Sequence, residues 1–169
     1  MRINLSLIIL LLFCIVSFAQ EKEHSEINST LEKWHKAASD ADFESYFGLM
    51  TSNSIFIGTD PTENWNYDAF KAFAKPYFDK GKAWSFTTLE RNIFNKKNTN
   101  LAWFDELLDT QMGICRGSGI LEKTKEGWKI RHYVLSIAIP NENVKEVTSL
   151  KSTFDSTLMK KLRKVKNKN

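Results

Sequence analysis

Five side chains in this sequence could move protons or grip a polar ligand: Asp60, Asp105, Glu106, Arg116 and His132. Asp60 precedes Pro61 and follows the branched and aromatic run 54–58 (SIFIG). A carboxylate at a strand end can act as a general base, and Asp before Pro is equally a common turn former. Asp105 and Glu106 are adjacent in one strand-like run, so their side chains take opposite faces and one of them points inward. Arg116, in the next run, falls opposite Asp105 or diagonal to Glu106 depending on register. Such a pair is either an ion pair that fixes the sheet or a site for an anion or carbonyl with Arg116 as donor. His132 is expected to share a strand face with Ile130, Val134 and Ser136, as a hydrogen-bonded core residue or as a proton-transfer group. Trp34, Trp65 and Trp103 are candidates to line an apolar pocket, or to be core.

Other chemistries find little support. The chain has three His, at 24, 35 and 132, without a ligand spacing such as HxH or HExxH, so no metal is expected. Gly113, Gly117 and Gly119 lack the strand-to-helix setting of a phosphate loop; within a strand they favour curvature or bulges. No cofactor is expected. Cys115 lies in an apolar run and reads as a small buried hydrophobe.

The elements that must position these residues can be read from periodicity. At 169 residues the chain fits one domain. Its first nineteen residues read as a secretory signal: Arg2, then the apolar run 3–16, then Ser17-Phe18-Ala19, with cleavage near Ala19 and export to the periplasm or medium. Cys14 raises a lipoprotein alternative, against which Phe13 stands where a small residue is needed. Cleavage would leave Cys115 alone, so no intrachain disulfide is expected. Asn28-Ser29-Thr30 is a glycosylation sequon, relevant only in a eukaryotic secretory pathway.

Ile27, Leu31, Trp34, Ala38 and Ala41 recur at helical spacing over 21–41. Asp42 can cap a second helix through Phe43, Phe47 and Met50. After the strand 54–58 and the turn cluster 59–64, a third helix is expected over 67–80, kinked or ended by Pro76, with Gly81 closing it. The stretch 83–94 reads as a strand. Three strand runs then fill 101–139, with turns near 109–111 and 125–127. From Val144 a spacing of three and four returns, predicting an amphipathic helix in a basic tail. From Lys145 to the end, eight Lys/Arg stand against Glu146 and Asp155, a net charge of +6, which leaves residues 20–144 at −3. The tail could meet anionic lipid or nucleic acid, but an exported protein rarely meets nucleic acid, so none is expected as a partner, and a solvated helix end is the commoner outcome.

Helices first and a sheet afterwards argue an α+β class: a half-open, curled antiparallel sheet packed on three N-terminal helices, plus a C-terminal amphipathic helix. The domain is expected over 20–143, between the signal at 1–19 and the tail at 144–169. The space between helices and concave face is a natural cavity. No transmembrane segment is expected in the mature chain.

The runs FIGTDPTENW (56–65), AWFDELLDT (102–110), CRGSGIL (115–121) and WKIRHYVLS (128–136), in this element order, resemble exported bacterial SnoaL-like proteins of the nuclear-transport-factor-2-like superfamily. The resemblance covers about residues 25–140 and implies a cone-shaped fold that hosts enzymes, binding proteins and dimerisation modules alike. In ketosteroid isomerase, a relative, a general-base Asp before Pro is joined by an enolate-stabilising Tyr and a protonated Asp. Asp60-Pro61 matches the first. The Tyr position falls at Trp34 and the acidic one near Gly119 or Ile120, so that chemistry is not supported. SnoaL-like cyclases use acidic and His residues in the cavity, roles that Asp60, Asp105, Glu106 and His132 could fill. The resemblance therefore implies, first, an exported protein binding a small, mostly apolar ligand through Trp34, Trp65, Trp103, Asp105, Glu106 and Arg116. Second comes an isomerase, cyclase or dehydratase using Asp60 or His132, and third a dimerisation module without ligand. A homodimer is expected.

Overall fold

A computed structural model describes residues 5–95 and 99–166, with side chains from Glu21 onward. The proposed signal 1–19, Cys14 included, lies outside the described side chains. The chain divides into two compact units, Met1–Ile137 and Ala138–Asn169.

The first unit begins with α1 (Leu5–Ser39), whose Ile27, Leu31, Trp34 and Ala38 form the expected buried stripe. Ala41 ends the stripe in the left-handed conformation, φ 54°, normally taken by glycine. The amides of Ala41 and Asp42 close back on the carbonyls of Ala38 and Ala37 there. Asp42 then caps α2 (Phe43–Gly48) by accepting from the Ser45 amide at 3.0 Å.

β1 (Met50–Ile57) and the short β2 (Asn64–Asn66), which the sequence pattern did not signal, form a hairpin around the turn cluster. Asn66 caps α3 (Tyr67–Asp79), accepting from the Ala69 amide at 2.9 Å. The helix spans the expected stretch and runs through Pro76, so of the two effects expected of that proline termination does not occur. Pro76 and Ala72, whose carbonyl forfeits an amide partner, are both exposed, so water can serve that carbonyl. Gly81, φ 67°, ends the helix where expected.

Four long strands follow: β3 (Phe86–Asn95), β4 (Leu101–Thr110), β5 (Gly113–Thr124) and β6 (Gly127–Ile137). The sheet order is β2-β1-β6-β5-β4-β3, antiparallel except where β1 lies parallel to β6. The α+β class holds, with a six-stranded curled, open sheet and helices on its concave side.

Burial alternates residue by residue along β4, so Ala102, Phe104, Glu106, Leu108 and Thr110 face inward. A bulge between Ile120 and Leu121 on the β5–β6 pairing shifts the parity of β6. Ile130 is therefore buried with Trp128, while His132 joins Val134 and Ser136 on the outer side. This corrects the expected common face of His132 and Ile130, because strict alternation fails across a bulge. The concave side is filled by rings: Trp34, Tyr46, Phe47, Phe56, Phe70 and Phe78 are all buried.

The second unit carries a 3-10 turn (Asn141–Asn143) and the helix α4 (Val144–Lys166), the amphipathic helix expected from the tail.

Candidate functional site

Glu106 is the one acidic residue that β4 turns inward, and its carboxylate is fully shielded from solvent. Desolvation alone would push its carboxyl up. The His35 hydrogen bond and charge, together with Arg91, outweigh that and hold it below the usual carboxylate range. Oε1 accepts from His35 Nε2 at 2.9 Å and from the Tyr133 hydroxyl at 3.0 Å. Oε2 accepts from Arg91 Nε at 2.8 Å and stands 2.7 Å from Nη2 as an ion pair. Arg91 spends its remaining donors on Asn28 Oδ1, Glu32 Oε1 and Thr88 Oγ1, at 2.6–2.7 Å. Burial, then the Glu106 charge, raises the Tyr133 phenol well above its ordinary value, so it stays a donor.

The cluster ties α1 to β3, β4 and β6. Room for it comes from Gly117, directly opposite Glu106 in the β4–β5 register. A Cβ there would lie 2.2 Å from the Tyr133 hydroxyl and 2.9 Å from Glu106 Oε1. Glu106 therefore pairs with Arg91 and not with Arg116, which stands opposite Leu107 on the outer face. Signals for Arg91 and His35 were present. Arg91 has the inward parity of Ile93 on β3, and His35 lies on the buried stripe of α1 one turn from Leu31.

A separate pocket opens at the C-terminal end of β1. It holds about 190 Å³. Its walls are Phe56 from β1, Trp65 from β2, Phe70 and Phe73 from α3, Trp84 from the segment before β3 and Phe86 at the strand's start. Thr59, Glu63 and Gln111 supply its polar lining, with Met112 on the β4–β5 turn. The rings form a stacked series: Phe73 on Trp65 at 4.5 Å, Trp65 on Phe70 at 5.7 Å, Phe70 on Phe56 at 4.0 Å. The series reaches the charge cluster, since Phe56 stacks on Tyr133 at 5.5 Å and Phe86 meets His35 edge-on at 5.8 Å. A larger groove of about 580 Å³ lies at the other end of β1, but it is open and lined by Asn53, Glu122, Lys125, Glu126 and Lys129 among others. Its charged, solvated lining offers little to an apolar molecule.

Of the residues singled out from sequence, Trp65 alone lines the aromatic pocket. Trp34 is wholly buried, stacked on Tyr46 at 4.9 Å and edge-on to Tyr133 at 4.8 Å. Trp103 is on the outer face, stacked on an exposed Phe94 at 5.9 Å. Asp105 is also outside, taking a hydrogen bond from Asn92 at 3.1 Å. Asp60 sits exposed in the β1–β2 turn, its Oδ1 accepting from the Thr62 hydroxyl at 2.5 Å and the Thr62 amide at 2.8 Å. Those bonds, the hydroxyl's first, hold its carboxyl below the usual range, which weakens it as a base. Sequence reading missed Phe73, Trp84, Glu63 and Gln111.

Among the described residues, no group of three or more His, Cys, Asp and Glu could hold a metal ion, and no helix is long and apolar enough to cross a membrane.

Solved structures share this fold. A candidate dehydratase of the NTF2-like family from Streptomyces avermitilis superposes with a TM-score of 0.63 at 9% identity, covering 72% of this chain and 99% of its own. An NTF2-like protein of unknown function from Pseudomonas putida KT2440 gives 0.60 at 16%, covering 73% and 92%. A candidate aromatic ring hydroxylase from Novosphingobium aromaticivorans gives 0.59 at 12%, covering 70% and 91%. At these identities the likeness is one of fold. A search of curated proteins finds no match to the chain. A family model for the SnoaL-like domain matches residues 27–140, most of the chain, and the chain belongs to that family.

Proposed function

We propose that this chain is an exported protein that binds a small, flat, mostly apolar molecule in the pocket walled by Trp65, Phe70 and Phe73. The stacked ring series carries this reading. It presents aromatic faces to an open space of about 190 Å³, and the polar lining groups are few enough to orient a ligand without dominating it. That volume is below the roughly 300–1,000 Å³ of pockets for drug-sized ligands, so a compound of one or two rings fits the reading best. Export rests on Arg2, the apolar run 3–16 and Ser17-Phe18-Ala19. A homodimer through the outer sheet face is supported by the exposed Phe94, Trp103, Ile114 and Ile120.

The acid–base alternative has less to stand on. Asp60 is occupied as a turn former and His132 is on the outer face. Glu63 is the single titratable group among the residues lining the pocket, and its Oε2 already takes the Asp60 amide at 3.1 Å.

The test follows intrinsic Trp fluorescence while one- and two-ring aromatics are titrated in. Trp65 and Trp84 flank the site, so a binder should quench the signal saturably. Met112→Trp, which fills the pocket from the turn, should abolish the response, and Phe73→Ala should weaken it about tenfold, the loss of one good aromatic contact. A response that persists unchanged in Met112→Trp moves the ligand elsewhere and removes the proposal. Native mass spectrometry of the protein from its own host would then identify the natural occupant.

A further inference from the structure

The C-terminal helix α4 has an apolar stripe and no buried residue. Val147, Leu150, Phe154, Leu158, Leu162 and Val165 recur at spacings of three and four. At 100° per residue they fall within about 120° of the circumference. Leu150 is 85% exposed and Phe154 47%. The rest of the helix is basic. Seven Lys/Arg oppose Glu146 and Asp155 within Val144–Lys166, a net charge of +5, and five of them lie between 160 and 166. Cations there also suit the negative end of the helix dipole.

We propose that α4 lies on an anionic phospholipid surface, its stripe at the acyl boundary and its Lys/Arg side chains on the headgroup phosphates. Charge complementarity selects this occupant. Nucleic acid would use the positive charge but leave the stripe in water. A second α4 would cover the stripe but bring two helices of net +5 together with two acidic residues each. Lys151 and Lys161 also fall inside the stripe's arc. A dry helix–helix seam would bury both, whereas at a lipid surface their stems lie along the apolar layer and their ammonium groups reach the headgroups.

The experiment uses the full chain with Cys14→Ser, leaving buried Cys115 unreactive. An environment-sensitive fluorophore is attached at Phe154→Cys, in the stripe, or at Ser156→Cys, on the opposite side of the helix. Vesicles contain two parts phosphatidylcholine to one part phosphatidylglycerol, or phosphatidylcholine alone. Because the readout is local to α4, lipid association through the apolar run 3–16 does not mimic it. The expected result is a blue shift at 154 and none at 156, with phosphatidylglycerol vesicles only, reversed by high salt. Lys160→Ala, Lys161→Ala and Lys164→Ala should each lower partitioning roughly fivefold. Five results would overturn the proposal: no shift at 154, equal shifts at both positions, a shift with phosphatidylcholine alone, a shift produced by an oligonucleotide in place of vesicles, or a shift without vesicles that grows with protein concentration. The last would assign the stripe to self-association, and a shift produced by an oligonucleotide in place of vesicles would assign the helix to nucleic acid.

Discussion

The charge cluster at Glu106 and the aromatic pocket at Trp65 lie one ring apart, and they treat polarity in opposite ways. In the cluster Oε1 carries two hydrogen bonds, Oε2 carries one and an ion-pair contact, and every guanidinium nitrogen is engaged. Little is left over to grip a ligand, and the Tyr133 hydroxyl and Glu106 carboxylate fill the space over Gly117. In the pocket the ring faces are satisfied on one side only. A titratable group in the interior of this fold is thus no sign of a reactive centre once its hydrogen-bonding capacity is used up. Free apolar surface beside a few polar groups is the better marker here.

The largest effect expected is from Glu106→Ala. Removing the carboxylate takes away the buried partner of Arg91 and leaves only the half-exposed Glu32 against its charge, a loss of about 3 kcal/mol, read as a lower midpoint in urea with the slope m unchanged. Ligand quenching by the fraction still folded should be retained. A stable Glu106→Ala protein that has lost binding would reverse the comparison and make the cluster part of the site.

Acid should act through the same carboxylate. Its folded pKa lies below the unfolded value of about 4.5, so the folded protein binds protons less readily than the unfolded chain. The stabilisation is fully present above the unfolded pKa and is lost as pH falls from there through the depressed folded value. Wild type should therefore lose stability below about pH 4.5 more steeply than Glu106→Gln. Parallel acid profiles for the two would show that other carboxylates govern acid unfolding.

Gly117→Ala comes next, at about 1–3 kcal/mol for an overpacked site. The nearest atom to the added methyl is the Tyr133 hydroxyl, so Tyr133→Phe should relieve part of that loss. A double-mutant cycle should show positive coupling, whereas additive losses would mean that the sheet moves instead of the side chains.

How much of this was legible from sequence depends on whether a signal is local. The helical stripe of α1, the Asp42 cap, the Gly81 stop and the hairpins of 101–137 follow from spacing and turn chemistry, and their ends differ by a few residues, except that α1 begins at Leu5 and not at the expected 21. The partners of Glu106 did not follow. His35 and Arg91 are 71 and 15 residues away from it, and no local pattern chooses between Arg91 and Arg116. The face of His132 turned on a bulge of one residue, which alternation cannot register. The pocket walls were hidden for another reason: Phe73 and Trp84 look like any other aromatic until the strands place one side of them against open space.

The smallest effect expected is from Asp60→Asn, and it sharpens the comparison from the pocket's side. Asn keeps the acceptor oxygen that takes the Thr62 amide and hydroxyl, and it suits the same turn. The residue is exposed, so the urea midpoint should stay within measurement error of wild type. Its neighbours Thr59 and Glu63 line the pocket while Asp60 itself does not. Ligand affinity should therefore be unchanged, whereas Glu63→Gln should alter it for ligands that carry a hydrogen-bond donor. If Asp60→Asn instead abolished turnover of a discovered substrate while quenching by that substrate persisted, the turn would hold a general base after all. The pocket would then be an active site whose chemistry enters from its rim, and the saturated cluster behind Phe56 would keep only its role in holding α1 to the sheet.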